Sequence, residues 1–312
     1  MSAPTPSPPG AVVLLGGTGK IGSRIAALLE TAGIPSVVAS RSGALPAGVS
    51  SSGGLARGVR FDWTDESTWE AVLAAAAPSP IRAVFVIEAP LPEQPALSRA
   101  FVDRARGRAP RFVLLSASAI PEGGPLTGQT HRYLRELGDA GAVEWAVLRP
   151  TWFQENFLLP VHSAGLVEDG LLHSATRAGR IPWVSADDIA AVGFHALTVA
   201  EPPNTDFLVL GPELLTYNDL AATFTAVLGR PVAYQEIDEA AVAARFVEGG
   251  MPETYAKQLA ALDVAIRDGL EEHYPPTPAV ADIVRRVTGR EPRPFRDYVE
   301  ANQAAWSAKG QK

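Results

Sequence analysis

The sequence predicts an α/β protein: a doubly wound parallel sheet followed by a smaller mixed α/β region. Three observations predict it. Short, β-branched apolar runs alternate with amphipathic stretches through the first half of the chain, the pattern of a parallel sheet covered on both faces. Gly16, Gly19 and Gly22 stand between the apolar run Val12–Leu15 and the amphipathic stretch Ile21–Leu29, so a strand, a tight turn and a helix N-terminus follow in order. Beyond residue 157 the alternation loosens with no long linker, which places the second region beside the first rather than in a separate domain. The division expected is a disordered tail over 1–10, a nucleotide-binding region over 11–157, and a substrate-binding cap over 158–312 interwoven with the core.

The first turn presents unpaired backbone N–H groups and the positive end of a helix dipole, which suit a pyrophosphate. Gly16 takes turn geometry that a Cβ resists. Gly19 admits the backbone to a phosphate, and Gly22 lets the helix lie close on the strand. Gly16, Thr18, Gly19, Lys20, Ile21 and Gly22 are therefore candidate dinucleotide-binding residues of a Rossmann-type sheet. An ATP-binding P-loop is excluded, because the positions that would need Gly and Ser or Thr hold Leu14 and Ile21.

Ile34–Ser40 reads as the second strand. A carboxylate near its end would bond the ribose 2′-hydroxyl of NAD, yet no acid stands between Glu30 and Asp62. Ser40, Arg41 and Ser42 instead offer hydroxyls and a guanidinium to a 2′-phosphate. NADP(H) is the cofactor expected. The Gly/Ser/Pro-rich stretch from Gly43 to Gly58 is a surface loop. Arg57–Phe61 is the third strand; Asp62 and Trp63 follow it towards the cofactor, and Asp65 caps a helix over Glu66–Ala76. Arg82–Ile87, the fourth strand, ends in Glu88, Ala89 and Pro90 near the nicotinamide-side ribose. After a helix over Leu97–Gly107, Arg111–Leu115 is the fifth strand and ends at Ser116, a further cofactor candidate. A helix over Gln129–Leu137 and a sixth strand, Val143–Leu148, complete the series. In such sheets ligands sit outside the carboxyl ends of the strands, and these residues all fall on that rim.

In the cap, Ile181–Ile189 gives a short extended piece and a helix running to Ala200, with Asp187 as its cap. Phe207–Leu210 is a strand and Thr216–Leu228 a helix capped by Thr216. Val232–Ile237 is a strand and Asp238–Glu248 a helix. The remainder is helical, broken at Pro252, Pro275-Pro276 and Gly289.

Composition narrows the function. At 312 residues, 46% hydrophobic and with a net charge of −7, the chain buries a full core and does not favour a broad nucleic-acid surface. No apolar run approaches the ~18–20 residues of a membrane span. The first residues lack the charged and apolar parts of a signal peptide, so a cytoplasmic protein is expected. There are no cysteines, hence no thiolate chemistry. Histidines 131, 162, 173, 195 and 273 show no metal-ligand spacing, and no metal is expected.

Three stretches carry a family resemblance: Gly16-Gly17-Thr18-Gly19-Lys20-Ile21-Gly22, Phe112–Ser118, and Leu148-Arg149-Pro150-Thr151-Trp152-Phe153-Gln154-Glu155-Asn156-Phe157. They resemble the NmrA-like branch of atypical short-chain dehydrogenases. Ser185–Ala190 and Gly229–Val232 fit the same branch, so the likeness runs from Ala11 to Trp306. Phe61-Asp62-Trp63, Gly123-Gly124-Pro125 and the Arg-Pro-Thr-Trp-Phe run resemble most the ergot-alkaloid festuclavine and agroclavine dehydrogenases. The resemblance implies NADPH-dependent reduction of a cyclic iminium in secondary metabolism. Quinone reductases and an NADP-sensing regulator share the branch.

The usual short-chain dehydrogenase catalyst is Tyr-x-x-x-Lys on the helix after the fifth strand. Here Tyr133 is followed four residues on by Leu137. Alkoxide protonation needs a positioned acid, whereas hydride delivery to an iminium carbon needs mainly orientation. Ser118 and His131 are the candidate catalytic side chains. Trp152, Phe153, Asn156 and Phe157 are the candidate substrate residues, with the aromatics stacking on a flat, polycyclic substrate. Quinone or enone reduction, NADP sensing without turnover and NADP-requiring isomerisation are the rival functions. The partner expected is a small molecule, for a monomer or homodimer.

Overall fold

The structure is a computed structural model that describes residues 10–50, 54–273 and 283–307. The expected tail, apart from Gly10, and the break at Pro275-Pro276 lie outside the described residues. In chain order the first elements are β1 (Ala11–Leu15), α1 (Lys20–Thr31), β2 (Ser36–Ser40), β3 (Ala56–Arg60), α2 (Trp69–Ala74), β4 (Ile81–Val86), α3 (Gln94–Ala105), β5 (Arg111–Leu115), α4 (Thr127–Asp139) and β6 (Glu144–Pro150). There follow α5 (Pro160–Glu168), β7 (Leu171–Ser174), β8 (Ile181–Pro182), α6 (Ala186–Thr198), β9 (Thr205–Val209), β10 (Leu214–Leu215), α7 (Tyr217–Leu228) and β11 (Ala233–Glu236). Helices α8 (Glu239–Glu248), α9 (Glu253–Arg267), α10 (Ile283–Thr288) and α11 (Phe295–Asn302) end the series.

The main sheet has seven strands in the order β3-β2-β1-β4-β5-β6-β9. Its pairs from β3 through β6 are parallel, and Val13 on β1 faces Val37 on one side and Val84 on the other. The order reverses at β1, which places the topological switch point, and with it the expected ligand crevice, at the carboxyl ends of β1 and β4. All five residues of β1 are buried, as a central strand covered on both faces requires.

The chain divides into two compact units, Met1–Arg149 with Ile189–Phe207, and Pro150–Asp188 with Leu208–Lys312. In the first, Phe61, Trp63, Trp69 and Phe101 meet edge-on or stacked with centroids 5.0–6.5 Å apart. The end of α6 is tied to this unit by Arg111, whose side chain is buried on β5. Its guanidinium pairs with Glu144 at 2.7 Å and donates to the carbonyls of Ala196 and Val199 at 3.0 and 2.7 Å, a cation at a helix C-terminus.

The second unit holds two small sheets, β11 parallel to β7 and β10 antiparallel to β8. Its core is aromatic, with Phe157, Trp183, Tyr217, Phe224, Phe295, Tyr298 and Trp306 all buried. The Trp306 indole N–H donates to the Phe157 carbonyl at 2.8 Å, so its polar edge is satisfied as well.

Several local expectations change in the folded chain. The stretch over Glu66–Ala76 is a 3-10 turn, Glu66–Thr68, and then the shorter α2; Asp65 caps the turn by accepting from Ser67 N–H. Helix α6 is capped by Ser185, whose hydroxyl accepts from Asp188 N–H at 3.0 Å, rather than by Asp187. Thr216 caps α7 in a reciprocal capping box with Asp219. The sequence reading did not foresee α5 and β7.

Candidate functional site

The glycine turn is built as the sequence requires. Gly16 has φ +74°, the left-handed region that disfavours a side chain. A Cβ on Gly22 would stand 2.5 Å from the Gly16 carbonyl oxygen and 2.7 Å from Gly17 Cα, so α1 touches the turn backbone directly. Gly19 is exposed, and a Cβ there would meet only Gly16 O, at 3.2 Å. It is the N-cap of α1 and supplies no side-chain cap, leaving the first-turn N–H groups without one. Thr18 is exposed and Lys20 half-buried. The Ile21 side chain is buried, so only its backbone offers contact to a ligand.

At the end of β2, Ser40 Oγ lies 3.3 Å from Ser42 Oγ and accepts from Gly43 N–H at 3.1 Å. Arg41 is exposed. Asp62 bends back onto Thr64, accepting from its N–H at 2.9 Å and its hydroxyl at 2.8 Å. Those bonds, then Arg60 and Arg41, hold the carboxyl below its usual range. Trp63 is a correction to the expected cofactor set. It is buried in the aromatic cluster and donates its indole N–H to the Ile87 carbonyl at 3.0 Å, so its ring presents no face to a ligand.

Beyond β4, Glu88 Oε1 accepts from Thr130 at 2.6 Å and Ser98 at 2.8 Å. Burial raises its pKa against those two bonds. Ala89 N–H is taken by Gln94 Oε1 at 3.3 Å, and Pro90 is exposed. Ser116 Oγ lies 2.8 Å from Thr127 Oγ1. Ser118 is buried, and its carbonyl accepts from Arg149, which pairs with Asp206 at 2.8 Å. His131 is only 3% exposed, its ring centroid 5.7 Å from that of Trp145. Its Nδ1 has no hydrogen-bond partner, and burial lowers its pKa. The imidazole is therefore neutral near pH 7, and its burial leaves it unsuited to supplying a proton to a ligand.

The expected substrate residues belong to the second unit. Trp152 is half-buried, 6.2 Å centroid to centroid from Trp183. Its carbonyl accepts from Val184 N–H, and Gln154 N–H donates to Val184 O, so the segment is pinned on both sides. Phe153 and Asn156 are half-buried. Phe157 is a second correction: it is 1% exposed and packs against Trp183, Phe224 and Phe295 at 5.1–5.6 Å. Phe157 is core and not part of a substrate wall. Glu155 is buried and accepts from Ala186 N–H at 2.8 Å, a carboxylate spent on the start of α6.

No protein-family model matches the chain. Festuclavine synthase II of Penicillium roqueforti is 36% identical over 301 residues, covering 95% of this chain and 99% of the relative. Agroclavine dehydrogenase of Claviceps purpurea is 37% identical over 302 residues, covering 96% and 99%. The chain belongs to the family of the festuclavine and agroclavine dehydrogenases. In fold it is similar to an NADPH-dependent quinone oxidoreductase of Escherichia coli, with a TM-score of 0.70 at 21% identity over 93% of this chain and 98% of that one.

Within this dehydrogenase family member, the first unit brings the glycine turn, Ser40–Ser42, Asp62, Glu88 and Ser116 to the carboxyl ends of successive parallel strands. Sequence reasoning missed the Ser98–Glu88–Thr130 contact, which joins α3, the end of β4 and α4 across 42 residues. It also missed Asp263, buried on α9 with Ala256, Ala260 and Ile266. A signal for Asp263 existed: a lone acid falls in an apolar stripe at helical spacing. Among the described residues no group of His, Asp and Glu is arranged to hold a metal. No helix among them is long and apolar enough to cross a membrane.

Proposed function

We propose that the protein is an NADPH-dependent reductase that delivers hydride to a cyclic iminium, or a similarly activated C=N acceptor, of a small aromatic or polycyclic metabolite. The observation that carries the reading is on α4. Tyr133 donates its hydroxyl to Asp103 at 2.7 Å, and burial followed by Asp103 raises its pKa. Leu137 stands where a lysine would lower it. The helix therefore offers no acid for an alkoxide. An iminium needs none, since hydride addition to its carbon gives a neutral amine directly.

The glycine turn fits a dinucleotide on two counts: Gly22 is filled by backbone, and the first turn of α1 has no side-chain cap. Gly19, Lys20 and Ile21 would hold the pyrophosphate, and Ser40, Arg41 and Ser42 the 2′-phosphate, with no acid between Glu30 and Asp62 to repel it. When bound there, NADPH supplies the hydride. Glu88 and Ser116, just past the ends of β4 and β5, would orient its ribose and nicotinamide end, and Trp152, Phe153 and Asn156 of the second unit are the candidate substrate residues. The family membership supports oxidoreductase chemistry on an alkaloid-like molecule.

The test is NADPH consumption against cyclic iminium ions, quinones and enones, with NADH in parallel. Turnover of iminium with NADPH is expected. Turnover of quinones alone, or tight NADPH binding with no turnover of any acceptor, would overturn the assignment.

A further inference from the structure

Just past the end of β4, three fully buried polar side chains hold one half-buried carboxylate. Gln94, Ser98 and Thr130 are each 0% exposed, and Glu88 Oε1 accepts from the hydroxyls of Ser98 and Thr130 at 2.8 and 2.6 Å. The direction of these bonds is set from one end. Ala89 N–H donates to Gln94 Oε1 at 3.3 Å, which turns the Gln94 amide so that its Nε2 donates to Ser98 Oγ at 3.0 Å. Ser98 Oγ, an acceptor there, directs its own proton to Glu88. Burying three polar groups costs stability unless each is bonded, and here their bonds converge on the placement of Glu88.

The second carboxylate oxygen is left over. Among the described residues Glu88 Oε2 makes no hydrogen bond and is not sealed from solvent, and no Lys, Arg or His among them forms an ion pair with it. Glu88 follows Ile87, whose Cβ lies 3.1 Å from where a Cβ on Gly16 would stand. The carboxylate therefore belongs to the strand end that packs on the glycine turn, where the strand order reverses. A dinucleotide whose pyrophosphate lies on the first turn of α1 has one half on each side of it. Ser40, Arg41 and Ser42, at the end of β2, suit the half that carries the 2′-phosphate, which leaves the nicotinamide half to the β4 side.

We propose that Glu88 makes the site discriminate between the two redox states of its cofactor, Oε2 serving as counter-charge to the oxidised nicotinamide ring, so that NADP⁺ is held more tightly than NADPH. The inference rests on the NADP(H) reading above and adds to it a preference that orientation alone does not supply. Loss of hydride, a proton with two electrons, to an acceptor turns the neutral dihydronicotinamide ring into a cationic pyridinium. An opposite charge at close range moves an ionic equilibrium by about tenfold to a thousandfold, and the half-buried setting of Glu88 places it near the low end. The two hydroxyls keep the charge in place, where an untethered glutamate would swing into water. Tighter holding of the oxidised form lowers the potential of the bound couple by about 30 mV for each tenfold, so bound NADPH is a stronger hydride donor than free NADPH.

Isothermal titration of the full-length protein with NADP⁺, NADPH and 2′,5′-ADP, which lacks the nicotinamide half, tests this without any acceptor. NADP⁺ is expected to bind the unaltered protein about tenfold more tightly than NADPH. Glu88→Gln keeps an acceptor for both hydroxyls and removes only the charge. In that variant NADP⁺ should weaken about tenfold while NADPH and 2′,5′-ADP change less than about twofold, which raises the potential of the bound couple by about 30 mV. NADPH binding as tight as NADP⁺ in the unaltered protein, or an unchanged ratio of the two in E88Q, would overturn the inference and leave the cofactor site in place. Binding of neither form would overturn it together with the NADP(H) reading. The comparison on the unaltered protein decides the matter even if the variant folds poorly.

Discussion

Gly22→Ala probes the turn where helix and strand meet. The added Cβ would sit 2.5 Å from Gly16 O, 2.7 Å from Gly17 Cα and 3.0 Å from Gly17 C. All three are backbone atoms, so no side chain can swing aside. Restoring ordinary contact at about 3.4 Å needs about 0.9 Å of movement between α1 and the turn. Overpacking of this kind costs ~1–3 kcal/mol, and the rigidity of both partners places it high in that range. Alanine regains up to ~1 kcal/mol in helix propensity, leaving a net loss of ~1–2 kcal/mol. The same displacement carries the first-turn N–H groups away from the pyrophosphate, and losing one charge-assisted bond worth ~1.5–3 kcal/mol raises the NADPH Kd at least about tenfold. Thermal melting and NADPH fluorescence titration on one preparation measure both. Gly33→Ala is the control, because its φ is +68° with nothing within 4 Å; it should lose some stability and keep NADPH affinity. A G22A protein with unchanged melting and unchanged NADPH binding would refute the close approach and the placement of the pyrophosphate together.

Four further outcomes are expected. Arg41→Ala should weaken NADPH about tenfold and leave NADH nearly unaffected, since a charged hydrogen bond to a 2′-phosphate is worth ~1.5–3 kcal/mol; parallel titrations with equal losses would remove that assignment. Trp152→Ala should raise KM for an aromatic iminium with NADPH affinity intact, and a fall in cofactor affinity instead would count Trp152 as framework only. Tyr133→Phe should leave iminium turnover within about twofold, and a loss of 100-fold or more would restore a proton-donor role. For Asp263 the folded pKa of about 6 lies above the ordinary carboxyl value of 3.8. The carboxyl therefore costs stability as pH rises through 6 and costs nothing below 3.8. Asp263→Asn should gain ~1–3 kcal/mol over the parent at pH 8 and about a third of that at pH 4.5, by urea unfolding; equal differences at both values would contradict its burial as a charge.

The alternation of strands and helices along the nucleotide half, the glycine turn and the absence of an acid after β2 were all determined by the sequence alone. These are local matters: an apolar run of five residues, a glycine where φ turns positive and a capping Thr216 act on neighbours within a few positions. What only the tertiary structure decided rests on partners far apart in the chain. Trp63 and Phe157 look equally suited to a ligand and to a core until packing shows what surrounds each. Glu155 and Glu88 look like free carboxylates until Ala186 N–H, Ser98 and Thr130 take them up. Likewise His131 keeps its titrating appearance in sequence and loses it under Trp145. Asp263 passes unnoticed in sequence, because its surroundings required five other elements or loops to converge on it. Burial and hydrogen-bond partnership are properties of neighbours in space, and spacing along a chain fixes only those neighbours that one helix turn, one strand or one tight turn brings together.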